Sequence, residues 1–250
     1  MATDKTIALV TGASAGIGSE FCRQLAPRCD VLIACGRRLD RLEALAESLA
    51  DTTELIPLVA DLASLEGLTR VIEALRQKGP VDYLVNNAGF STLGPFAELD
   101  LDAQREMVSV HIDASMALCR AAIPFMQERG GGNIINVSSL VAFSPFPSVA
   151  VYGATKAFLN HFSEALQLEL ADSAIRVQSL CPGYTRSDFH GRDAMTGFDP
   201  GKVPDSMWME AADVVAISLA ALEGGPVVVV AGESNTGIAR HGLNGQLDRL

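Results

Sequence analysis

The residues best suited to acid–base chemistry in this sequence are a tyrosine and a lysine four positions apart. Tyr152 and Lys156 begin a segment of helical periodicity, so both side chains project from one face of the predicted helix. A phenol is a poor acid–base group at its ordinary pKa of about 10, and a neighbouring ammonium lowers that pKa by favouring the phenolate. The pair therefore predicts a proton-transfer centre in which Lys156 makes Tyr152 usable near neutral pH.

Two other side chains could join this centre. Ser139 follows a strand-like apolar run, where its hydroxyl could lie beside the phenol and donate to a substrate oxygen, although Ser138, Ser144 and Ser148 are close in sequence and weaken the signal. His111 lies among apolar residues of a long helical stretch. A histidine in such a place is more often a packed, hydrogen-bonded core residue than a catalyst.

A glycine-rich segment, Thr11-Gly-Ala-Ser-Ala-Gly-Ile-Gly18, follows the first strand-like run and opens a helix. Glycines let the backbone approach a pyrophosphate, and the helix N-terminus supplies free N–H groups and a positive dipole end. The GxxxGxG spacing differs from the general GxGxxG fingerprint and could by itself be a tight turn, but its position at the first strand favours phosphate binding. The predicted phosphate-binding residues are Gly12, Ser14, Gly16, Ile17 and Gly18.

The end of the second strand-like run carries arginines in place of an acidic residue. A dinucleotide-binding domain usually has a carboxylate there to hold the ribose 2′-hydroxyl, whereas this chain has Gly36, Arg37 and Arg38. A guanidinium fork suits a phosphate, so the exchange favours NADP over NAD. The alternative is that both arginines are solvated helix-start residues, which applies more readily to Arg38 than to Arg37.

Short apolar runs alternate with amphipathic segments along the chain. The predicted strands are Ile7–Thr11, Val31–Cys35, Leu55–Ala60, Tyr83–Asn86, Asn133–Ser138, Val177–Cys181 and Val227–Ala231, and the clearest helical segments are Leu39–Ala50, Leu65–Gln77, Asp102–Glu128 and Val151–Ala171. Unbroken apolar strands between helices indicate a parallel sheet covered on both faces. The sequence therefore predicts a single doubly wound α/β domain over residues 1–250, with one irregular insertion at about residues 184–210.

Polar or glycine residues follow six of the predicted strands at the same end. Open α/β sheets bind ligands outside the carboxyl ends of their strands, so these residues predict one binding edge. They are Thr11-Gly12, Gly36-Arg37-Arg38, Asp61, Asn86-Asn-Ala-Gly89, Ser138-Ser139 and Pro182-Gly183.

Composition and charge exclude several classes of protein. With 250 residues, 48% hydrophobic and 20% charged, the chain has the composition of a globular protein, and its net charge of −11 argues against nucleic acid or anionic membranes as partners. The N-terminal segment resembles neither a signal nor a transit peptide, and no apolar stretch is long enough to span a membrane. Five cysteines without metal-ligand spacing predict buried free thiols, a reducing, cytoplasmic location and no metal site.

Five motifs together identify a family resemblance. Thr11-Gly-Ala-Ser-Ala-Gly-Ile-Gly18, Asn86-Asn-Ala-Gly89, Asn136-Val-Ser-Ser139, Tyr152-Gly-Ala-Thr-Lys156 and Cys181-Pro-Gly183 occur in the order typical of the short-chain dehydrogenase/reductase family. The chain resembles that family from about residue 6 to 232, in its branch of about 250 residues. The resemblance implies a Rossmann-type sheet of about seven strands with a cofactor over the strand ends.

The resemblance also implies roles for individual residues. Tyr152 would be the general acid or base, Lys156 would bind the nicotinamide ribose and tune Tyr152, and Ser139 would position the substrate oxygen. Asn86 would help to form the cofactor site, Asp61 would contact the adenine, and Thr185 would reach the nicotinamide. The other residues expected to line the cofactor are Leu62, Asn87, Ala88, Gly89, Pro182 and Gly183.

One position departs from the family pattern. Members usually have asparagine about 28 residues before the serine, where it helps to hold a water that relays protons to the lysine, and this chain has His111 there. Two hypotheses follow: the imidazole substitutes in the relay and titrates near neutral pH, or it displaces the water and slows the supply of protons.

The expected reaction is hydride transfer between NADP(H) and a carbonyl or secondary alcohol, with reduction of a hydrophobic ketone or aldehyde as the favoured direction. The alternatives are a non-catalytic NADP-sensing protein and an alcohol dehydrogenase that works oxidatively. The substrate and the stereochemistry stay open. The apolar residues expected to flank the site are Phe90, Phe143, Phe146, Phe189, Met195, Phe198, Met207, Trp208 and Met209, with core packing as the alternative.

The helix that carries Tyr152 predicts self-association. Its apolar residues cover an arc of about 200°, wider than the roughly 100° that one sheet face requires. Family members commonly pair this helix and the preceding long one, so we expect a homodimer or homotetramer. The apolar residues are Ala154, Phe158, Leu159, Phe162, Ala165, Leu166, Leu168 and Leu170.

Overall fold

The chain folds around parallel strands connected by helices, and residues 5–78, 81–189 and 197–249 are described by a computed structural model. The strands are β1 (Ile7–Thr11), β2 (Val31–Gly36), β3 (Glu54–Val59), β4 (Tyr83–Asn86), β5 (Gly132–Val137), β6 (Ile175–Cys181), β7 (Thr185–Arg186), β8 (Met209–Glu210) and β9 (Val228–Val230). The helices are α1 (Gly16–Leu25), α2 (Leu39–Leu49), α3 (Leu65–Lys78), α4 (Leu101–Val108), α5 (Ala114–Arg129), α6 (Ala150–Glu169), α7 (Ala211–Ala221) and α8 (Glu233–Leu247).

A seven-stranded sheet in the order β3-β2-β1-β4-β5-β6-β9 forms the centre, with every neighbouring pair parallel. Every residue of β1 and β2 is buried, because helices cover both faces of the sheet. One apolar cluster includes residues of α3 and α5, and the other includes residues of α1, α2 and α7. The prediction of a Rossmann-type, doubly wound sheet of seven strands in one domain is confirmed.

The strand order reverses between β1 and β4, which is where doubly wound sheets bind their ligands. The carboxyl ends of both strands therefore flank the expected cofactor crevice. β7 and β8 lie near the start and the end of the predicted insertion in sequence, and they pair with each other in parallel as a separate two-stranded sheet. Residues 190–196 of that insertion lie outside the described residues.

The stretch predicted as one helix, Asp102–Glu128, contains a change of helical type. α4 begins after Asp100, whose carboxylate accepts hydrogen bonds from the backbone N–H groups of Asp102 and Ala103. A π-helical turn at Ser109–Asp113 then connects α4 to α5. The turn places His111 in its centre, and π-turns of this kind are common at functional sites.

All five cysteines are buried free thiols, as the sequence predicted. Burial raises the pKa of the Cys22, Cys29, Cys35 and Cys119 thiols to about 12 and that of Cys181 to about 11. Within the described parts of the chain, no helix has the length and apolar character needed to cross a membrane.

Candidate active site

A single hydroxyl joins β1 and β4 at the point where the strand order reverses. Thr11 Oγ1 donates to the Val85 carbonyl (3.2 Å) and accepts from the backbone N–H groups of Asn87 (2.9 Å) and Ala88 (3.0 Å). The Asn87 amide donates to the carbonyls of Thr11 (2.9 Å) and Gly12 (3.3 Å). The predicted residues Asn87 and Ala88 therefore hold the start of the glycine-rich turn through hydrogen bonds.

The glycine-rich turn passes too close to its neighbours for larger residues. Gly12 and Gly16 have φ of 66° and 55°, in the left-handed region that favours glycine. A Cβ on Gly18 would overlap the Gly12 carbonyl oxygen, and one on Gly16 would lie 2.8 Å from Ser187 Cβ. α1 begins here after Ala15, which makes no side-chain cap, and the first turn of α1 contains no acidic residue. This arrangement fits an anionic group such as a pyrophosphate.

Arg38 contacts the turn more directly than Arg37 does. The Arg38 guanidinium donates to Ser14 Oγ (3.3 Å) and to the Ser14 carbonyl (3.2 Å), and its Nη1 lies 3.5 Å from Asp188 Oδ2. Arg37 points elsewhere and pairs with Glu106 (3.6 Å). The sequence ranked Arg37 ahead of Arg38 as the phosphate ligand, which stays a prediction. Arg38 is the one that contacts the turn, because the extended backbone of this α2 N-cap residue places its side chain against Ser14.

Three other residues predicted to line the cofactor, Asp61, Ile17 and Leu62, have different surroundings. Asp61 is exposed beyond the end of β3, and its Oδ1 accepts from the Ala63 N–H (3.1 Å). The side chains of Ile17 and Leu62 pack against the apolar clusters on the two faces of the sheet. Their side chains therefore serve packing, which leaves the backbone for any contact with a ligand.

The Asn86 side chain points into the protein, and the part in forming the cofactor site that the resemblance implied stays a prediction. Its side chain is buried and donates to Asn136 Oδ1 (2.8 Å) and towards Cys119 Sγ (3.4 Å). Asn136 in turn donates to Ser163 Oγ (2.9 Å). Alternation along β4 turns Asn86 into the protein and leaves Asn87 at the crevice.

The end of β6 supports the segment that carries Ser139. The Leu140 N–H donates to the Pro182 carbonyl (2.8 Å), and a Cβ on Gly183 would lie 2.6 Å from the Asn235 side chain. Thr185 is buried, with its hydroxyl donating to the Gly183 carbonyl (3.2 Å). These contacts place the predicted residue Pro182 next to the segment that carries Ser139, and connect Thr185 to Gly183.

Ser139, Tyr152 and Lys156 come together where β5 meets the first turns of α6. A hydrogen bond from Ser139 lowers the pKa of Tyr152, but burial is the larger effect and raises that pKa to about 12. Lys156 Nζ donates to the Val137 carbonyl (2.9 Å) and lies 5.6 Å from the centre of the Tyr152 ring. Ser138, unlike Ser139, donates to the Lys156 carbonyl (2.7 Å) and holds the helix.

The expected effect of Lys156 on Tyr152 is therefore corrected. We expected the ammonium to lower the pKa of the phenol, whereas burial raises the pKa of Tyr152 and lowers that of Lys156 to about 7. The amine is only partly charged near neutral pH and faces a backbone carbonyl. Desolvation, which a spacing of four residues does not reveal, sets the direction of both pKa shifts.

His111 is buried beside Tyr152 with both ring nitrogens engaged. The Phe90 N–H donates to Nε2 (3.2 Å), and Nδ1 lies 2.8 Å from Thr155 Oγ1. Burial, with a smaller contribution from Lys156, lowers the pKa of His111 well below its usual range. This direction disagrees with the expectation that the imidazole titrates near neutral pH, and a part for His111 in the relay stays a prediction. A Cβ on Gly89, another predicted residue, would lie 2.5 Å from Nε2, so Gly89 makes room for the ring.

Three aromatic residues of the insertion form a cluster, and a fourth lies near Tyr152. The Tyr184 ring lies 6.0 Å from that of Phe198 and 5.4 Å from that of Trp208, and the Arg186 guanidinium lies 5.6 Å from the Trp208 ring. Phe189 extends towards the catalytic side chains, with its ring 6.1 Å from that of Tyr152.

The remaining apolar residues expected to flank the site have mixed positions. Phe90 contacts the His111 ring at 6.3 Å, Phe143 is buried in a core cluster, and Phe146 is 48% exposed. Met209 packs against the core, and Met195 lies outside the described residues. Neither Thr155 nor Tyr184 was predicted from the sequence as a residue of the site. The only signal for Thr155 was its place between Tyr152 and Lys156, three residues after the tyrosine.

Two curated relatives cover about three quarters of the chain. A protein named "Probable NADP-dependent dehydrogenase" from Haemophilus influenzae is 36% identical over 196 residues, which are 75% of this chain and 77% of that protein. The human protein named "Inactive hydroxysteroid dehydrogenase-like protein 1" is 38% identical over 182 residues, 71% of this chain and 55% of that protein. The chain thus spans about half the length of the human relative.

Solved structures match almost the whole chain. A short-chain dehydrogenase from Sphingobium yanoikuyae in complex with NADPH has a TM-score of 0.85 at 31% identity, covering 98% of this chain and 95% of that one. A "bulky-bulky ketone specific alcohol dehydrogenase" from Comamonas testosteroni has a TM-score of 0.81 at 28% identity, covering 99% and 96%. The family model for short chain dehydrogenases matches residues 6–195, and the chain belongs to this family.

Proposed function

We propose that the chain is an NADP(H)-dependent oxidoreductase that transfers a hydride between the nicotinamide and a carbonyl or secondary alcohol, in the direction of ketone or aldehyde reduction. The observation that carries the proposal is the meeting of Ser139, Tyr152 and Lys156 at the carboxyl edge of the sheet, which also carries the glycine-rich turn. Proton donors and an anion-binding turn on one edge suit the reduction of a carbonyl by an anionic dinucleotide.

The cofactor would lie across the crevice between β1 and β4. The backbone of the glycine-rich turn and the N-terminus of α1 would hold the pyrophosphate. Arg38, with Ser14 beside it, would bind the 2′-phosphate, and Asp61 would lie on the adenine side. Lys156 would bind the nicotinamide ribose. The NADP and NADPH in the names of the relative from H. influenzae and the structure from S. yanoikuyae support this choice of cofactor.

Bound NADPH supplies the hydride, and the protein supplies the proton. Because the pKa of Tyr152 is about 12, the phenol is protonated at neutral pH and can donate to the oxygen of a carbonyl substrate. The Ser139 hydroxyl, next to the phenol, would donate a second hydrogen bond to the same oxygen and fix its position. A protonated phenol favours the reductive direction at neutral pH.

The substrate is expected to be a hydrophobic ketone or aldehyde that the insertion at about residues 184–210 helps to select. The Phe189 ring lies next to Tyr152, and the cluster of Tyr184, Phe198 and Trp208 belongs to the same insertion. Apolar walls with few polar groups are typical of such pockets. The neighbour from C. testosteroni, named for bulky ketones, supports a substrate of this class.

The proposal includes a homodimeric or homotetrameric assembly and a cytoplasmic location. Leu168 on α6 is 78% exposed and Met116 on α5 is 37% exposed, and Phe158 stacks on Phe162 at 5.6 Å along the same helix. These apolar side chains support a homodimer or homotetramer through α5 and α6. Static light scattering tests this part of the proposal. The five buried free thiols favour a cytoplasmic location.

The test combines cofactor binding with turnover. We expect NADPH to bind more tightly than NADH in a fluorescence titration, and a panel of apolar ketones and aldehydes to be reduced when followed by nicotinamide absorbance. Tyr152→Phe should lower kcat by about 10²- to 10⁴-fold while NADPH still binds. Tyr83→Phe, a tyrosine on β4 outside the site, is the matched control and should turn over normally.

Two results would favour the alternatives. Binding of NADPH without turnover across the panel would support a non-catalytic, NADP-sensing protein. The human relative whose name contains the word "Inactive" is the reason to include this alternative. Turnover confined to alcohols with NADP⁺ would support an oxidative dehydrogenase. Equal activity in Tyr152→Phe would remove the phenol from the reaction.

A further inference from the structure

A chain of three hydrogen bonds crosses the candidate site behind the catalytic side chains. The Phe90 N–H donates to His111 Nε2 (3.2 Å), Nδ1 lies 2.8 Å from Thr155 Oγ1, and Thr155 Oγ1 donates to the Tyr152 carbonyl (2.8 Å). The chain begins in the segment that follows β4 and ends in the first turn of α6. It therefore connects the wall of the cofactor crevice to the backbone of the candidate acid.

The direction of the chain fixes the protonation of His111. A backbone N–H can only donate, so Nε2 must accept and carries no proton. The Thr155 hydroxyl gives its own hydrogen to the Tyr152 carbonyl, so Nδ1 must be the donor to Thr155. The ring is thus a neutral imidazole with its proton on Nδ1. A second proton on Nε2 would face the Phe90 N–H and break the chain.

The surroundings of the ring leave it little freedom. His111 is 1% exposed and lies in the π-helical turn at Ser109–Asp113. The ring packs against those of Phe90 (6.3 Å) and Tyr152 (5.8 Å), and the absence of a Cβ at Gly89 makes room for Nε2. Of the titratable groups around it, Tyr152 is in contact, and Lys156 acts through its charge. Both lie on α6.

We infer that His111 is a positioning residue: as a neutral imidazole it clamps the first turn of α6 to the segment after β4, and so fixes Tyr152 relative to the cofactor crevice. The inference rests on the proposed function only for its readout in turnover. Positioning matters because a misplacement of about 1 Å can cost up to about 100-fold in rate. The clamp differs from a proton relay, in which the ring would have to change its protonation.

A double-mutant cycle tests the clamp. His111→Phe keeps a ring and removes both nitrogens, and Thr155→Val keeps the shape and removes the hydroxyl. We expect each to lower kcat by about tenfold and the double variant to be no worse than either, because all three break the same chain. The Kd for NADPH should stay within about twofold, and the shape of the kcat–pH profile should not change. Additive losses, an altered pH profile or an unchanged kcat would each overturn the inference.

A second measurement tests the protonation state that the clamp requires of His111. It needs no turnover and no variant, so it holds even where His111→Phe fails to fold. The ¹⁵N shifts of the His111 ring in the wild-type protein should report a neutral ring with its proton on Nδ1 from pH 8 down to 5.5, because its pKa lies well below the usual range. The opposite tautomer, or titration within that range, would overturn the clamp. Absence of turnover would count against the proposed function and leave this measurement valid.

Discussion

The two ends of the candidate site are built on different physical principles. At the catalytic end, Lys156 is 5% exposed and His111 is 1% exposed, and both are held by hydrogen bonds to neighbouring protein groups. At the other end, which would hold the phosphates and is called the phosphate end, the side chains of Arg38 and Asp188 are 40% and 59% exposed and form an ion pair of 3.5 Å. The catalytic end is buried and its side chains are held by hydrogen bonds. The phosphate end is exposed and its side chains form an ion pair.

This difference determines how each end responds to its surroundings. Burial shifts the pKa values at the catalytic end, raising that of Tyr152 to about 12 and lowering that of Lys156 to about 7. Exposed ion pairs are weak, and salt screens them within about 10 Å at 0.1 M. We therefore expect pH to act mainly on the catalytic end and ionic strength mainly on the phosphate end.

The largest expected effect concerns Lys156. Its ammonium is present below a pKa of about 7 and is lost above it, so kcat/KM for NADPH, which reports the free enzyme, should fall as pH rises through about 7. Lys156→Met should be slower by about 100-fold at low pH. Lys156→Arg carries a charge at every working pH and should lose the inflection near pH 7. The same inflection in Lys156→Arg would show that another group titrates.

The next effect concerns Arg38. Arg38→Ala removes a charge-assisted bond worth about 1.5–3 kcal/mol, so the Kd for NADPH should rise by about 10- to 100-fold while that for NADH changes little. Arg37→Ala is the matched control, because Arg37 pairs with Glu106 away from the turn, and it should have a much smaller effect. A larger loss in Arg37→Ala than in Arg38→Ala would restore the order that the sequence suggested.

The smallest effect concerns the carboxylate that shares Arg38. Asp188→Asn removes an exposed partner worth about 0.2–1 kcal/mol, so NADPH should bind up to about fivefold more tightly at low salt. The gain should shrink at high salt, because screening weakens the same pair in the wild-type protein. Measurement of Kd at two salt concentrations checks this. A gain that is independent of salt would point to a cause other than charge.

The strands and their carboxyl ends are the part of the fold that the sequence predicts best. Unbroken apolar runs located all seven strands of the sheet to within two residues at each end, because doubly buried strands leave a strong local signal. The π-helical turn at Ser109–Asp113 was not predicted, since one extra residue per turn hardly changes the periodicity of a long helix. Tyr152, Lys156 and Ser139 do come together, as their motifs implied.

What failed was the direction in which individual side chains point. Asn86 and Asn87 are adjacent and identical in sequence, yet only Asn87 contacts the glycine-rich turn. Arg37 and Arg38 are likewise adjacent and identical, and the N-cap position of Arg38 decides between them. The tautomer of His111 depends on a backbone N–H 21 residues away. Such choices depend on tertiary contacts and leave no local pattern.

The Thr11 hydroxyl has a consequence for the thermodynamics of binding. It uses its one donor and both acceptors, with Val85, Asn87 and Ala88, so the crevice between β1 and β4 is braced from within the protein. A ligand that enters a braced crevice has few backbone dihedral angles left to order, and the loss of conformational entropy on binding is correspondingly small. The binding free energy that the phosphate contacts provide is then little reduced by the cost of ordering the site.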